Sequence, residues 1–153
     1  MAIQKKINIQ NKKARFEYEI LDKYTAGIQL KGSEIKSIRN KEIIIKDSYC
    51  ILINGEVWSK NIHISKYKYD TSQEYNPNRD KKLLLNKNEI KKIIKSINEK
   101  GMSLIPIKLF VNEKGMAKVE LGLGKGKKLF DKREDLKKKD VDKQIQRIKK
   151  RGN

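Results

Sequence analysis

Cysteine, histidine and tryptophan occur once each in this sequence, and proline twice. The lone Cys50 excludes an internal disulfide and any multi-cysteine zinc site, and it suits a reducing compartment. The lone His63 leaves no imidazole pair for a metal or a nucleophile–base couple, so it reads as an ordinary strand or surface residue. No apolar run approaches the roughly 20 residues of a membrane-crossing helix. The N-terminus, MAIQKKINIQNKK, lacks the apolar stretch of a signal peptide. A soluble, cytoplasmic protein is expected. Acid is scarce too, with 19 Asp or Glu against 38 Lys or Arg. The acids lie scattered among lysines, and no cluster of them offers a seat for a catalytic metal. The stretch 122–128 is rich in glycine and lysine but lacks the G-x-x-x-x-G-K-[ST] spacing of a phosphate-binding loop. No residue set calls for a cofactor, and the chain does not read as an enzyme.

What is present is positive charge, +19 in all. Residues 125–153 hold 13 Lys or Arg and 5 acids, a formal +8 in under a fifth of the chain. Such density exceeds what solubility requires and suits a polyanion, because each lysine that neutralises a phosphate releases a counterion. Tyr24, Tyr67, Tyr69 and Tyr75 add possible stacking surfaces for unpaired bases.

Residues 1–13 show no period and read as a loose arm. Residues 14–21 alternate Phe16, Tyr18 and Ile20 against Arg15, Glu17 and Glu19, the period of a strand. Residues 24–30 form a second strand, in which Gly27 marks a bulge or a close approach. A short helix is expected over 31–40. Residues 43–53 and 56–61 read as strands joined by Asn54-Gly55, a hairpin signal, and 62–69 as a further short strand. The polar stretch 70–82, with Pro77, reads as a loop. Residues 86–100 carry Ile90, Ile93, Ile94 and Ile97 at helical spacing, with Asn86 and Glu89 as a capping box and Gly101 as the stop. Two strands, 103–111 and 116–123, are joined through Asn112–Gly115. Gly124 and Gly126 then end the pattern. This predicts a mainly β chain with short helices, an OB-like closed or partly closed barrel over 14–124, followed by a basic tail over 125–153. Within that tail Val141, Ile145 and Ile148 would form a narrow apolar stripe on a helix. Three such residues are too few to hold a self-repelling helix in free solution, so it is expected to form only against an anionic partner.

Segments NKKARFEYEI (11–20), AGIQLKGSEIKSIR (26–39), DSY (47–49), NIHIS (61–65), RDKKLLLNKNEI (79–90) and KVELGLGKGKKLFDKR (118–133) occur in one order and register. In this the chain resembles the SsrA-binding protein family, also called small protein B. The resemblance implies an OB-like barrel that binds the tRNA-like domain of transfer-messenger RNA and accompanies it to stalled bacterial ribosomes. It implies that the tail becomes helical in the empty mRNA channel near the small-subunit decoding centre, and that the protein catalyses no covalent step. The elongation factor carrying aminoacyl-tRNA is a further implied partner. By position, the RNA surface would include Leu84, Asn86, Lys118, Lys125, Lys127 and Lys128, with Gly126 as a hinge and Asp131, Lys132 and Arg133 as a tail motif acting on the ribosome. Two residues depart from the family pattern: Thr25 stands where many members have an acid, and Phe130 where Tyr or His is common. A second reading of the same charge is a ribosomal or ribosome-assembly protein holding folded RNA with a barrel and a basic arm.

Overall fold

In the computed structural model, which describes residues 7–127 and Arg133, one seven-stranded antiparallel sheet builds most of the molecule. The strands in chain order are β1 (Asn8–Gln10), β2 (Tyr18–Ile28), β3 (Ile43–Ile44), β4 (Tyr49–Ile53), β5 (Glu56–Lys60), β6 (His63–Ile64), β7 (Lys81–Leu84), β8 (Ser103–Val111) and β9 (Ala117–Gly126). Three helices interrupt them: α1 (Lys12–Glu17), α2 (Gly32–Arg39) and α3 (Lys87–Lys100). The sheet runs β1-β8-β9-β2-β7-β5-β4, and β3 pairs separately with β6. Its far strand, β4, comes back against β8 without forming a ladder with it among the described residues, so the sheet curls into a partly closed barrel. The mainly β, OB-like expectation is met.

The inner face follows from period-two alternation in the two longest ladders. Val119, Leu121 and Leu123 of β9 point inward and are fully buried, beside Leu109 of β8 and Ala26 of β2. Each leucine so buried contributes about 1.5–3 kcal/mol. α3 closes one end of this core with Ile93, flanked by Ile90 and Ile97. Its start is the expected capping box: the Glu89 N–H donates to Asn86 Oδ1 at 2.8 Å, and Asn86 N–H donates to Glu89 Oε1 at 3.2 Å. The Asn54-Gly55 hairpin also forms, with φ of 51° and 74° at its two turn residues.

Several local readings change. Residues 7–13 are no loose arm, since Ile7 is buried and Asn8–Gln10 pairs with β8. Residues 14–17 belong to α1 rather than to a strand. Buried Asn11 decides this, because its Oδ1 accepts from Ala14 N–H while its Nδ2 donates to Ile45 O and Pro106 O. From Tyr18 onward the strand is real, and it runs through residue 24 as one β2 with an irregularity between Ile20 and Asp22. The turn Ile45–Ser48 splits the expected 43–53 strand into β3 and β4, and 62–69 keeps only His63–Ile64 as strand. The loop reading of 70–82 runs two residues too far, for Lys81 and Lys82 open β7. Gly124 does not end β9 either; a Cβ there would lie 2.1 Å from the Glu19 carbonyl oxygen, so only glycine allows β2 and β9 to pack this closely.

Candidate nucleic-acid interface

Two of the sequence-predicted site residues converge because register puts them there. Lys118 on β9 and Leu84 on β7 both lie opposite Gly27 on β2, which stands between them. A Cβ on Gly27 would sit 3.3 Å from Leu84 Cβ and 3.7 Å from Lys118 Nζ. The glycine is therefore a close approach, one of the two alternatives its position allowed, and the bare backbone lets a cation and an apolar side chain crowd one spot. Leu84 is 47% exposed and Met116 55%, and with Ile35 they border a shallow cavity of about 280 Å³ beside Lys118.

Charge at this spot is left open. Glu120, two residues along β9, already faces Lys108 at 3.4 Å and Lys23 at 3.9 Å. Lys118 has no carboxylate partner among the described residues. Exposed Thr25 pairs opposite Glu120 in the ladder. Asn86 lies two residues beyond Leu84, exposed, with its Oδ1 committed to the helix cap. Its Nδ2 group remains a donor.

Lys125 and Lys127 are elsewhere. Lys125 pairs opposite Glu19 and exposed Gly126 opposite Tyr18, while Lys127 N–H donates to the Glu17 carbonyl at 2.8 Å. Lys125 stands seven positions along β9 from Lys118, roughly 23 Å at the usual rise. The candidates thus form two groups at opposite ends of β9. Lys128, Asp131, Lys132, Val141, Ile145 and Ile148, and with them the tail helix, lie outside the described residues; Arg133 is exposed.

One cluster escaped sequence reasoning. Glu34 of α2, 1% exposed, takes a two-point contact from Arg79, with Nη2 at 2.6 Å and Nε at 3.3 Å. The wholly buried Lys81 sits 3.9 Å from the same carboxylate and donates to Arg79 O at 2.7 Å and Ile62 O at 3.0 Å. Burial depresses the Lys81 ammonium to a pKa of about 8. The only signal was that Glu34, Arg79 and Lys81 all fall inside the quoted motifs, and nothing in their spacing pairs them.

Tyrosines also separate. Tyr24 packs half-buried against the core, and burial raises its pKa. Tyr75 donates to the Ile64 carbonyl at 2.6 Å and is held by the fold. His63 Nδ1 lies 3.1 Å from Asn78 Oδ1. Burial pushes the Cys50 thiol up, away from thiolate chemistry. Among the described residues no group of His, Cys, Asp and Glu has the makings of a metal site, and no helix is long and apolar enough to cross a membrane.

The family model described as SmpB protein matches residues 8–151. The chain belongs to the SmpB family. The SsrA-binding protein of Cytophaga hutchinsonii is 51% identical over 146 residues, spanning 95% of both chains. That of Bacteroides thetaiotaomicron is 47% identical over 148 residues, 97% of this chain and 99% of its own. A solved structure described as "tmRNA-SmpB: a journey to the center of the bacterial ribosome" aligns with a TM-score of 0.67 at 40% identity, over 80% of this chain and 86% of that one. The chain therefore shares sequence with these relatives and its fold with that solved structure.

Proposed function

We infer that this SmpB-family chain is an RNA-binding adaptor. It binds the tRNA-like domain of transfer-messenger RNA and brings it to stalled ribosomes for trans-translation, without catalysing a covalent step itself. The observation that carries the reading is Lys118: a cation without a carboxylate partner among the described residues, standing over bare Gly27 backbone beside exposed Leu84, on the outer face of the barrel. A phosphate meets the ammonium there while a sugar or base covers the leucine and methionine. Asn86 Nδ2 extends the same surface as a donor. Lys125, Lys127 and Lys128 form a second, purely cationic contact at the root of the tail.

The tail reading belongs to this proposal as well. Gly126 leads into Asp131, Lys132 and Arg133, which act on the ribosome. The helix carrying Val141, Ile145 and Ile148 then forms in the empty mRNA channel, where anionic RNA cancels its self-repulsion.

Capture from bacterial lysate tests the core of the reading. One dominant RNA with a tRNA-like end is expected on the tagged protein; recovery of ribosomal RNA alone would replace the adaptor with a ribosomal or assembly protein. For the tail, a chain ending at Lys128 is expected to bind that RNA nearly as well as the full chain and to fail in tagging on stalled ribosomes. Gln144→Pro, which costs a helix about 3 kcal/mol, is expected to do the same. Normal tagging by Gln144→Pro would show that the tail acts by charge alone.

A further inference from the structure

Tyr67 and Tyr69 have no part in the surfaces described above, yet they are displayed with care. Tyr69 is 71% exposed, more than the other large apolar or aromatic residues left on the surface of the described chain. Its ring meets that of half-buried Tyr67 edge-on, with centroids 5.5 Å apart and planes at 66°. Two ammonium groups stand at the pair, Lys36 at 5.3 Å from the Tyr67 ring and Lys68 at 5.5 Å from the Tyr69 ring. Lys36 comes from α2, so the pair is tied to a helix as well as to its own loop.

The loop is braced on both sides. Ile64 N–H donates to Pro77 O, Ser65 N–H to Glu42 O, and Asp70 N–H to Tyr67 O, all at 2.9–3.0 Å. Tyr75 closes the base through its bond to Ile64 O. The nearest acid in the loop, Asp70, accepts from Ser72 N–H and is turned into its own turn. An aromatic face held open by such bracing loses little freedom when something stacks on it, and π-faces with adjoining ammonium groups fit a base with its phosphate.

We propose that the Tyr67–Tyr69 pair, with Lys36 and Lys68, is a second RNA contact that stacks an unpaired base. This rests on the RNA-adaptor reading and adds a site to it. Tyr69 supplies the stacking face, Tyr67 holds its edge, and the two lysines meet the flanking phosphates. The base is supplied either by the tRNA-like RNA or by ribosomal RNA.

The test uses the full chain with tRNA-like RNA alone and then with stalled ribosomes. Tyr69→Ala, exposed enough to leave folding alone, is expected to weaken binding by about five- to hundred-fold. Tyr69→Phe is expected to bind as the parent does, and the added indole of Tyr69→Trp is expected to lose fluorescence when RNA stacks on it. A loss seen with the isolated RNA assigns the base to that RNA; a loss seen only on ribosomes assigns it to ribosomal RNA. Unchanged binding by Tyr69→Ala in both arms overturns the site, while a loss for Lys118→Ala in the same assay leaves the adaptor reading standing. A parent chain that binds neither RNA overturns both. Capture of a protein by Tyr69, with RNA binding unchanged, also overturns it.

Discussion

Two sets of cations in this molecule look alike in composition and differ in employment. Arg79 and Lys81 are satisfied within the protein: one carboxylate and four backbone carbonyls take their protons, and Lys81 is fully out of water. Lys118 is given nothing of the kind. Its near neighbours are an exposed leucine and a glycine backbone, and the adjacent Glu120 is already used. A net charge of +19 therefore says little about which lysines meet RNA. A cation whose donors are met inside the fold is a structural part, and one without a partner is available to phosphate. The RDKKLLLN run holds both kinds of residue, with Arg79 and Lys81 turned inward and Leu84 and Asn86 outward.

The comparison breaks most visibly at Glu34. Glu34→Gln keeps the side chain's shape and leaves buried Lys81 and half-buried Arg79 without that counter-charge. Such a loss costs about 3–5 kcal/mol. Denaturant unfolding is expected to show it, while the folded fraction binds RNA with unchanged affinity and salt slope. A loss below about 1 kcal/mol would place the network in effective contact with water.

Lys81 sharpens the same contrast through pH. Its folded-state pKa of about 8 lies below the ordinary 10.5, so the unfolded chain binds more protons between those values. Stability then rises with pH from 8 to 10.5, by at most about 3 kcal/mol from this group, and the penalty stays in full below pH 8. Lys81→Met removes that rise. Subtracting the two unfolding curves from pH 7 to 11 cancels the other lysines and the tyrosines. A flat difference would mean that Lys81 is charged and well solvated in the fold.

Local elements were legible and distant agreements were not. α3 and the Asn54-Gly55 hairpin follow from spacing and caps within a few residues. α1 hid behind a strand-like alternation because its deciding residue, Asn11, bonds to carbonyls 34 and 95 positions away. The start of β7 hid because Lys81 looks like a loop residue and is buried. Family motifs singled out Leu84 and Lys118, but only the ladder through Gly27 makes them neighbours. Lys125 was grouped with them by motif and lies at the strand's other end. Glu34 and Arg79 are 45 residues apart, and no pattern along the chain joins them.

On the open side of the comparison, effects are smaller and appear in binding alone. Lys118→Ala is expected to weaken RNA affinity by about 1–2 kcal/mol and to flatten the salt dependence by about one phosphate contact. Thermal unfolding is expected to stay within about 0.5 kcal/mol of the parent, because no protein carboxylate is orphaned. An unchanged isotherm across salt would remove Lys118 from the interface.

The smallest effect is the most telling about geometry. Lys118 and Lys125 share β9 but stand roughly 23 Å apart, well beyond the ~8 Å over which exposed charges feel one another at physiological salt. If the barrel is a rigid rule held against one folded RNA, each lysine meets its own phosphate and neither contact depends on the other. Lys125→Ala is then expected to cost about as much as Lys118→Ala. The double variant is expected to lose the sum of the two, with a coupling of no more than about 0.5 kcal/mol. The salt slope should fall by about two contacts. A coupling above about 1 kcal/mol would show that the two ends answer to one stretch of RNA that re-seats when either is lost. The two groups of candidates would then be a single site, and the separation along β9 would carry no functional meaning.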